Sequence, residues 1–419
     1  MTRFAYALAW WIATPFILLR LAWRARKQRG YLERLAERFG RYDPVDAVPR
    51  IWVHAVSVGE TRAAAPLIAV LRARYPRHRI LLTHMTPTGR ATGQALFGDT
   101  VERAWLPYDY GFAVRSFLRA YAPVAGILLE TELWPRLVEE AARARIPLML
   151  ANARLSERSA RRYARVAGFA RRTFSQLAGI AAQSAADAGR FERLGAAPPA
   201  VTGNIKFDMP VPDAMVALGA TFRERFGASR RVWVAGSTRD GEEALLLEAL
   251  AAGAADASVL LVIVPRHPQR FDEVADLAQR LGLPCERRSA GTNVSPATRV
   301  LVGDSMGEML AYYAAADIVI MGGSLLAYGS QNLIEACSLG KPVVVGPSTF
   351  NFEEAAARAI AEGAALRVAD AGEAIEAARA IAADDARRAR MGEAARSFVA
   401  AHRGAVDRLT DWLAPRIPS

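Results

Sequence analysis

The sequence predicts an α/β protein of two doubly wound, Rossmann-like domains facing across a cleft, preceded by a membrane-anchor helix. Three observations predict it. The 419 residues suffice for two large domains plus an extension. Short apolar, β-rich runs alternate with helical stretches in two successive series, which means parallel sheets covered on both faces. Between the series stands Phe207-Asp208-Met209-Pro210-Val211-Pro212, whose two prolines suit an interdomain linker. The expected divisions are 1–30 for the anchor and its basic flank, 31–207 for the first domain, 208–390 for the second, and 391–419 for a terminal helix packing back on the first.

In chain order, residues 4–19 form an apolar run rich in aromatics, shorter than the ~20 residues of a full helical span. Arg20, Arg24, Arg26, Lys27 and Arg29 follow it. A signal peptide has its charges before the apolar run and a small-residue cleavage site after it, and this segment has neither. Trp10, Trp11 and Trp23 suit the headgroup region, so the segment reads as an anchor, interfacial or barely spanning, with its basic side in the cytoplasm. Strands are expected at 51–56, 80–84, 124–130, 147–151 and 179–183, and in the second series at 231–236, 259–265, 299–302, 317–322 and 342–346. Helices are expected at 61–74, 135–145, 241–252, 268–281 and 333–339, with one or two more across 384–413.

Composition narrows the function. Hydrophobic residues make up 52% and charged residues 23%, which excludes disordered and collagen-like chains. The two cysteines, Cys285 and Cys337, give no disulfide framework and fit a reducing cytosol. Net charge is +12 and uneven. Residues 1–207 hold 32 Lys+Arg against 15 Asp+Glu, or +17, and the remainder holds 22 against 27, or −5. The first half is built to meet something anionic.

Candidate chemistry gathers at strand ends. The first strand runs into Ser57-Val58-Gly59-Glu60, with no G-x-G-x-x-G. Glu60 reads either as the closing acid of a capping box or as a general base at the mouth of the cleft. Thr86-Pro87-Thr88-Gly89 reads as a polar-ligand loop or an ordinary N-cap. Glu130 and Glu132 end another buried strand, and at most one faces the cleft. Arg158, Arg161, Arg162 and Arg165 open a basic helical stretch with little acid to balance it, which suits an anionic surface or phosphates. Lys206 is one of only three lysines against 51 arginines, so its compact charge is distinctive. In the second half, Pro265-Arg266-His267 follows a strand, and Gly307-Glu308-Met309 precedes a helix. Gly322-Gly323-Ser324 then reads as a phosphate cradle built from backbone N–H groups, with Asn332-Leu333-Ile334-Glu335 at the next helix start and Glu335 placed for a ribose. The five histidines are scattered, no H-E-x-x-H or C-x-x-C occurs, and neither a metal nor another cofactor is expected.

Seven segments occur in the order found in one family: 54–60 (His-Ala-Val-Ser-Val-Gly-Glu), 130–135 (Glu-Thr-Glu-Leu-Trp-Pro), 152–156 (Asn-Ala-Arg-Leu-Ser), 206–208 (Lys-Phe-Asp), 264–268 (Val-Pro-Arg-His-Pro), 303–309 (Gly-Asp-Ser-Met-Gly-Glu-Met) and 346–352 (Gly-Pro-Ser-Thr-Phe-Asn-Phe). Together they resemble the 3-deoxy-D-manno-octulosonic acid (Kdo) transferases over nearly the whole chain. The resemblance implies a GT-B glycosyltransferase that moves Kdo from CMP-Kdo, a substrate, to a lipid A precursor at the cytoplasmic face of the inner membrane. It implies Glu60 as base and Glu130 and Lys206 as transition-state stabilisers. It places CMP at Pro265 and Arg266, at Gly307 to Met309, and at Asn332 to Glu335. Anionic membrane lipids are expected partners and nucleic acid is not. The family usually shows Gly-Gly-His-Asn-Pro before Leu-Glu, whereas this chain has Ser330-Gln331-Asn332-Leu333-Ile334-Glu335; Gln331 can hydrogen-bond but carries no charge. The alternatives are a membrane-associated UDP-sugar glycosyltransferase and a nucleotide-sugar epimerase on the same fold.

Overall fold

The computed structural model describes residues 3–26, 28–253 and 258–418. Lys27 of the expected basic flank lies outside them. The chain forms two compact units, Met1–Met209 with Arg403–Ser419, and Pro210–His402.

The first unit holds β1 (Arg50–His54), β2 (Arg79–His84), β3 (Glu102–Trp105), β4 (Pro123–Leu129), β5 (Leu148–Ala153), β6 (Gly179–Ala182) and β7 (Ala200–Val201). They form one parallel sheet in the order β3-β2-β1-β4-β5-β6-β7. The second unit holds β8 (Arg231–Thr238), β9 (Val259–Pro265), β10 (Cys285–Arg287), β11 (Val300–Val302), β12 (Ile318–Met321), β13 (Val343–Val345) and β14 (Ala365–Arg367). Its parallel sheet runs β10-β11-β9-β8-β12-β13-β14. The order reverses at β1/β4 in one sheet and β8/β12 in the other, the switch points where doubly wound sheets bind ligands beyond their strand ends.

All ten expected strands are present. The four that the sequence did not announce, β3, β7, β10 and β14, are the two edges of each sheet. Interior strands are mostly apolar and buried, fully so along Val259–Pro265. Edge strands are short and half exposed, and Glu102-Arg103 and Cys285-Glu286-Arg287 carry no apolar run to read. Four helices of the first unit start where a hydroxyl accepts a first-turn N–H: Ser57, Thr86, Ser156 and Ser184 each cap the helix that follows.

The tail divides at 402/403 rather than at 390/391. The helix Asp385–His402 stays with the second unit, because Met391 packs into that unit's core and its buried face continues through Phe398. The helix Ala405–Leu413 belongs to the first unit, where Val406, Leu409 and Leu413 join the core. Asp208 fixes its start by accepting the N–H groups of Gly404 at 2.7 Å and Val406 at 2.6 Å.

Candidate active site

In the first unit the candidate groups meet at the carboxyl ends of β1 and β4. Ser57 caps the helix Val58–Arg74, and Glu60 in its first turn reaches back. Its carboxylate accepts the Val56 N–H at 2.8 Å and the Ser57 hydroxyl at 2.8 Å. The cap therefore forms, with the acid closing on the N–H one residue before the N-cap, and the same contacts hold the carboxylate in one orientation. Thr86 braces this turn by donating to the Val56 carbonyl at 2.9 Å while accepting the Gly89 N–H, so Thr86-Pro87-Thr88-Gly89 is an N-cap. Burial, the Glu130 carboxylate and, more weakly, Glu132 push the Glu60 carboxyl up to about 7. That is where a general base works best at neutral pH.

Glu130 and Lys206 are joined: Nζ lies 2.6 Å from Oε1, with both side chains largely buried. Burial alone would raise the Glu130 carboxyl, but the Lys206 ammonium, helped by Arg154, holds it below the usual carboxylate range. Glu130 sits at φ +61, a left-handed conformation that costs a non-glycine residue about 1–3 kcal/mol and is found at functional sites. Glu132 turns elsewhere, accepting the Trp134 indole N–H at 3.1 Å.

Asn152 is a site residue that the sequence reading left without a role. It is buried at φ +50, and its Oδ1 accepts the Ile205 N–H at 3.1 Å. Asn204 in turn caps the Lys206 N–H at 3.0 Å. These two amides set the short turn that presents Lys206 to Glu130. The available signal was the pair of Asn residues, a type that tolerates left-handed backbone and bonds to it.

In the second unit, Pro265 ends β9 and the Arg266 N–H bonds to the Thr238 carbonyl at 2.9 Å, tying the β8 and β9 loops together. Burial and then the Glu335 carboxylate push the Tyr313 hydroxyl up, and Arg266 opposes them. Asn332 caps the helix Leu333–Ser338 and donates to Glu335 at 3.1 Å, while Leu333 and Ile334 are buried in the core. Gly307 turns at φ +84, Glu308 pairs with Arg288 at 2.8 Å, and Met309 begins the helix Met309–Ala315.

Gly322, Gly323 and Ser324 are not the open cradle that the sequence suggests. The fully buried Glu242 carboxylate accepts the N–H groups of Gly323 at 2.6 Å, Leu325 at 2.9 Å and Arg239 at 2.8 Å. Gly322 donates to the Gly236 carbonyl, and a Cβ on Gly322 would stand 2.5 Å from that oxygen. The Ser324 hydroxyl accepts the Gly346 N–H. An internal carboxylate some eighty residues upstream occupies the donors that a phosphate would need. Glu242→Leu is expected to orphan all three N–H groups, at about 1–3 kcal/mol each. The midpoint of urea unfolding would register the loss.

Arg239 follows β8 directly. Its guanidinium lies 4.7 Å from the Tyr328 ring centroid, and among the described residues no carboxylate pairs with it. Burial, and then Arg239, Arg266 and Arg270, push the His267 imidazole down, so this strand-end corner is cationic. Among the described residues no group of three or more His, Cys, Asp or Glu could hold a metal ion.

Solved structures share this architecture. Anabaena HepE in complex with UDP aligns over 88% of this chain and 99% of its own, with 14% identity and a TM-score of 0.60. UDP-GlcNAc 2-epimerase from Neisseria meningitidis bound to UDP-GlcNAc covers 87% of this chain and 100% of its own, with 15% identity and the same score. These likenesses establish the fold. The profile of the group 1 glycosyl transferases matches residues 243–398, so the two-sheet fold is that of a GT-B glycosyltransferase.

The first unit is more specific. The profile described as 3-deoxy-D-manno-octulosonic-acid transferase (kdotransferase) matches residues 33–209. The 3-deoxy-D-manno-octulosonic acid transferase of Bordetella pertussis is 45% identical over 99% of this chain and 100% of its own. That of Haemophilus influenzae is 37% identical over 99% of each. The chain belongs to the Kdo transferase family.

Proposed function

We propose that the protein transfers Kdo from CMP-Kdo to a lipid A precursor, with Glu60 as general base. The observation that carries the reading is the Glu60 carboxyl, buried, held in one orientation and raised to about 7, beside the Glu130–Lys206 pair. Glu60 takes the proton of the acceptor hydroxyl while that oxygen attacks the anomeric carbon of Kdo. The bond from that carbon to the phosphate oxygen breaks on the opposite face, so configuration inverts and CMP leaves with the electron pair. Lys206, oriented by Glu130, adds positive charge as negative charge develops. Arg266 and Arg239 supply positive charge at the strand ends of the nucleotide unit, where Gly307–Met309 and Asn332–Glu335 complete the CMP site. The chemistry asks nothing of a metal ion.

A lipid acceptor suits the chain's +17 first half and its exposed apolar amino-terminal helix. The chain accordingly works at the cytoplasmic face of the inner membrane. The test incubates purified protein with CMP-Kdo and lipid A precursor in detergent and follows the acceptor by mass spectrometry. A mass increase of Kdo units is expected. Intact acceptor beside hydrolysed or untouched donor would refute the reading, and transfer from a UDP-sugar instead would favour the alternative transferase.

A further inference from the structure

The amino-terminal helix Arg3–Ala25 is about 34 Å long at 1.5 Å per residue, enough to cross a hydrocarbon core of about 30 Å. Its contacts argue against crossing. Tyr6, Trp10, Thr14, Ile17 and Leu21 recur at intervals of four, four, three and four, one stripe of a helix. That stripe is docked on the first unit over most of the helix length. The Tyr6 hydroxyl donates to Asp109 at 2.7 Å, and its ring lies 5.6 Å from Phe169. Trp10 packs 5.8 Å from Trp134 and 6.0 Å from Tyr108. Thr14 bonds the Tyr110 hydroxyl, and Ile17 and Leu21 pack with Tyr108 and Tyr110.

The remaining surface of the helix is apolar and largely exposed. Trp11, Ile12, Phe16, Leu19 and Trp23 are each 59–68% exposed. Phe112 of the body, itself exposed, stacks on Trp11 and widens the patch. Arginines flank both ends. Arg20, Arg24, Arg26 and Arg29 stand at the carboxyl end. At the amino end, Phe169 belongs to the helix Ala167–Phe174, which adjoins the helix Glu157–Ala164 with its Arg158, Arg161 and Arg162. Crossing the bilayer would carry one basic end to the far side and draw Asp109 and the polar body into hydrocarbon.

We infer that this helix lies in the plane of an anionic bilayer surface, with the body on one face and lipid on the other. The inference rests on the proposed membrane association and specifies its geometry. Asp109 accepts the Arg136 and Leu137 N–H groups at 2.9 and 2.8 Å, capping the helix Pro135–Arg143, and Trp134 contacts both Trp10 and Glu132. The segment from Trp134 to Leu137 is therefore held against the lipid-facing helix, and a lipid acceptor would arrive a few residues from Glu130.

The test binds the full chain to vesicles of phosphatidylethanolamine and phosphatidylglycerol carrying lipids brominated at different depths. Trp11→Phe and Trp23→Phe variants isolate the quenching of each indole by difference. In the plane, both indoles are expected at the same shallow depth. Across the membrane, Trp11 would lie about 5 Å from the helix midpoint and Trp23 about 14 Å, so a deep Trp11 with a shallow Trp23 overturns the inference while keeping membrane association. Failure of the chain to float with the vesicles overturns both.

Discussion

Replacing Glu60 with Gln lowers Kdo transfer by roughly 10²–10⁴-fold and leaves the protein folded. Gln keeps the length of the side chain, still accepts the Val56 N–H and still meets the Ser57 hydroxyl, so the cap survives. What it loses is the capacity to hold a proton. The stability of the variant distinguishes this from a structural role. Folding raises the Glu60 carboxyl from an ordinary 4.5 to about 7. Its contribution to stability is therefore fully present below about 4.5 and lost as pH rises through about 7. A neutral Gln suffers no such loss, so at pH 8 the variant's thermal midpoint is expected at or above that of the wild type. Binding of CMP, which we propose for the other unit, is expected to be unchanged by calorimetry. An unfolded variant would show that the cap is the whole role of this residue.

The second large effect is at Lys206. Lys206→Ala removes the ammonium 2.6 Å from Glu130 and leaves a largely buried carboxylate whose main partner is gone. Breaking a buried pair in this way costs about 3–5 kcal/mol. Transfer is expected to fall roughly 10²–10³-fold, the usual cost of removing one group that stabilises developing charge. Lys206 holds the Glu130 carboxyl down, so the pair's stability is present above about 4.5 and is lost as pH falls through the depressed folded value. In the single variant that low-pH loss disappears, because the carboxyl rises on burial instead. The double variant Lys206→Ala with Glu130→Gln separates the two roles. It is expected to recover most of the stability, since no charge is left buried and unpaired, and none of the activity. Recovery of transfer along with stability would show that Lys206 serves only the fold.

Particular residues explain why some of this was legible in the sequence and some was not. The ten interior strands were readable because a strand buried on both faces must be apolar throughout, as in Val259–Pro265. The edge strands were hidden for the same reason in reverse, since Glu102 and Arg103 are free to be charged. For Glu60 the cap and base readings are compatible: the cap bonds fix the carboxylate, and burial, then the neighbouring Glu130, raise it. The Gly322–Ser324 loop was misread because Glu242, which fills it, is distant in sequence, and nothing local announces a buried carboxylate. Asn152 and Arg239 escaped because their roles are relational. One bonds a backbone N–H some fifty residues away, and the other stacks on a tyrosine from a different loop. The tail boundary depended on which core Met391 and Leu409 enter, a tertiary matter.

The most direct test of the central claim is the pH dependence of kcat/KM for Kdo transfer with the wild-type protein. If Glu60 is the base, the rate rises with pH along a single limb of midpoint near 7, where burial and Glu130 place its carboxyl. A profile flat from pH 5 to 9, with donor and acceptor shown to be stable throughout, would contradict it.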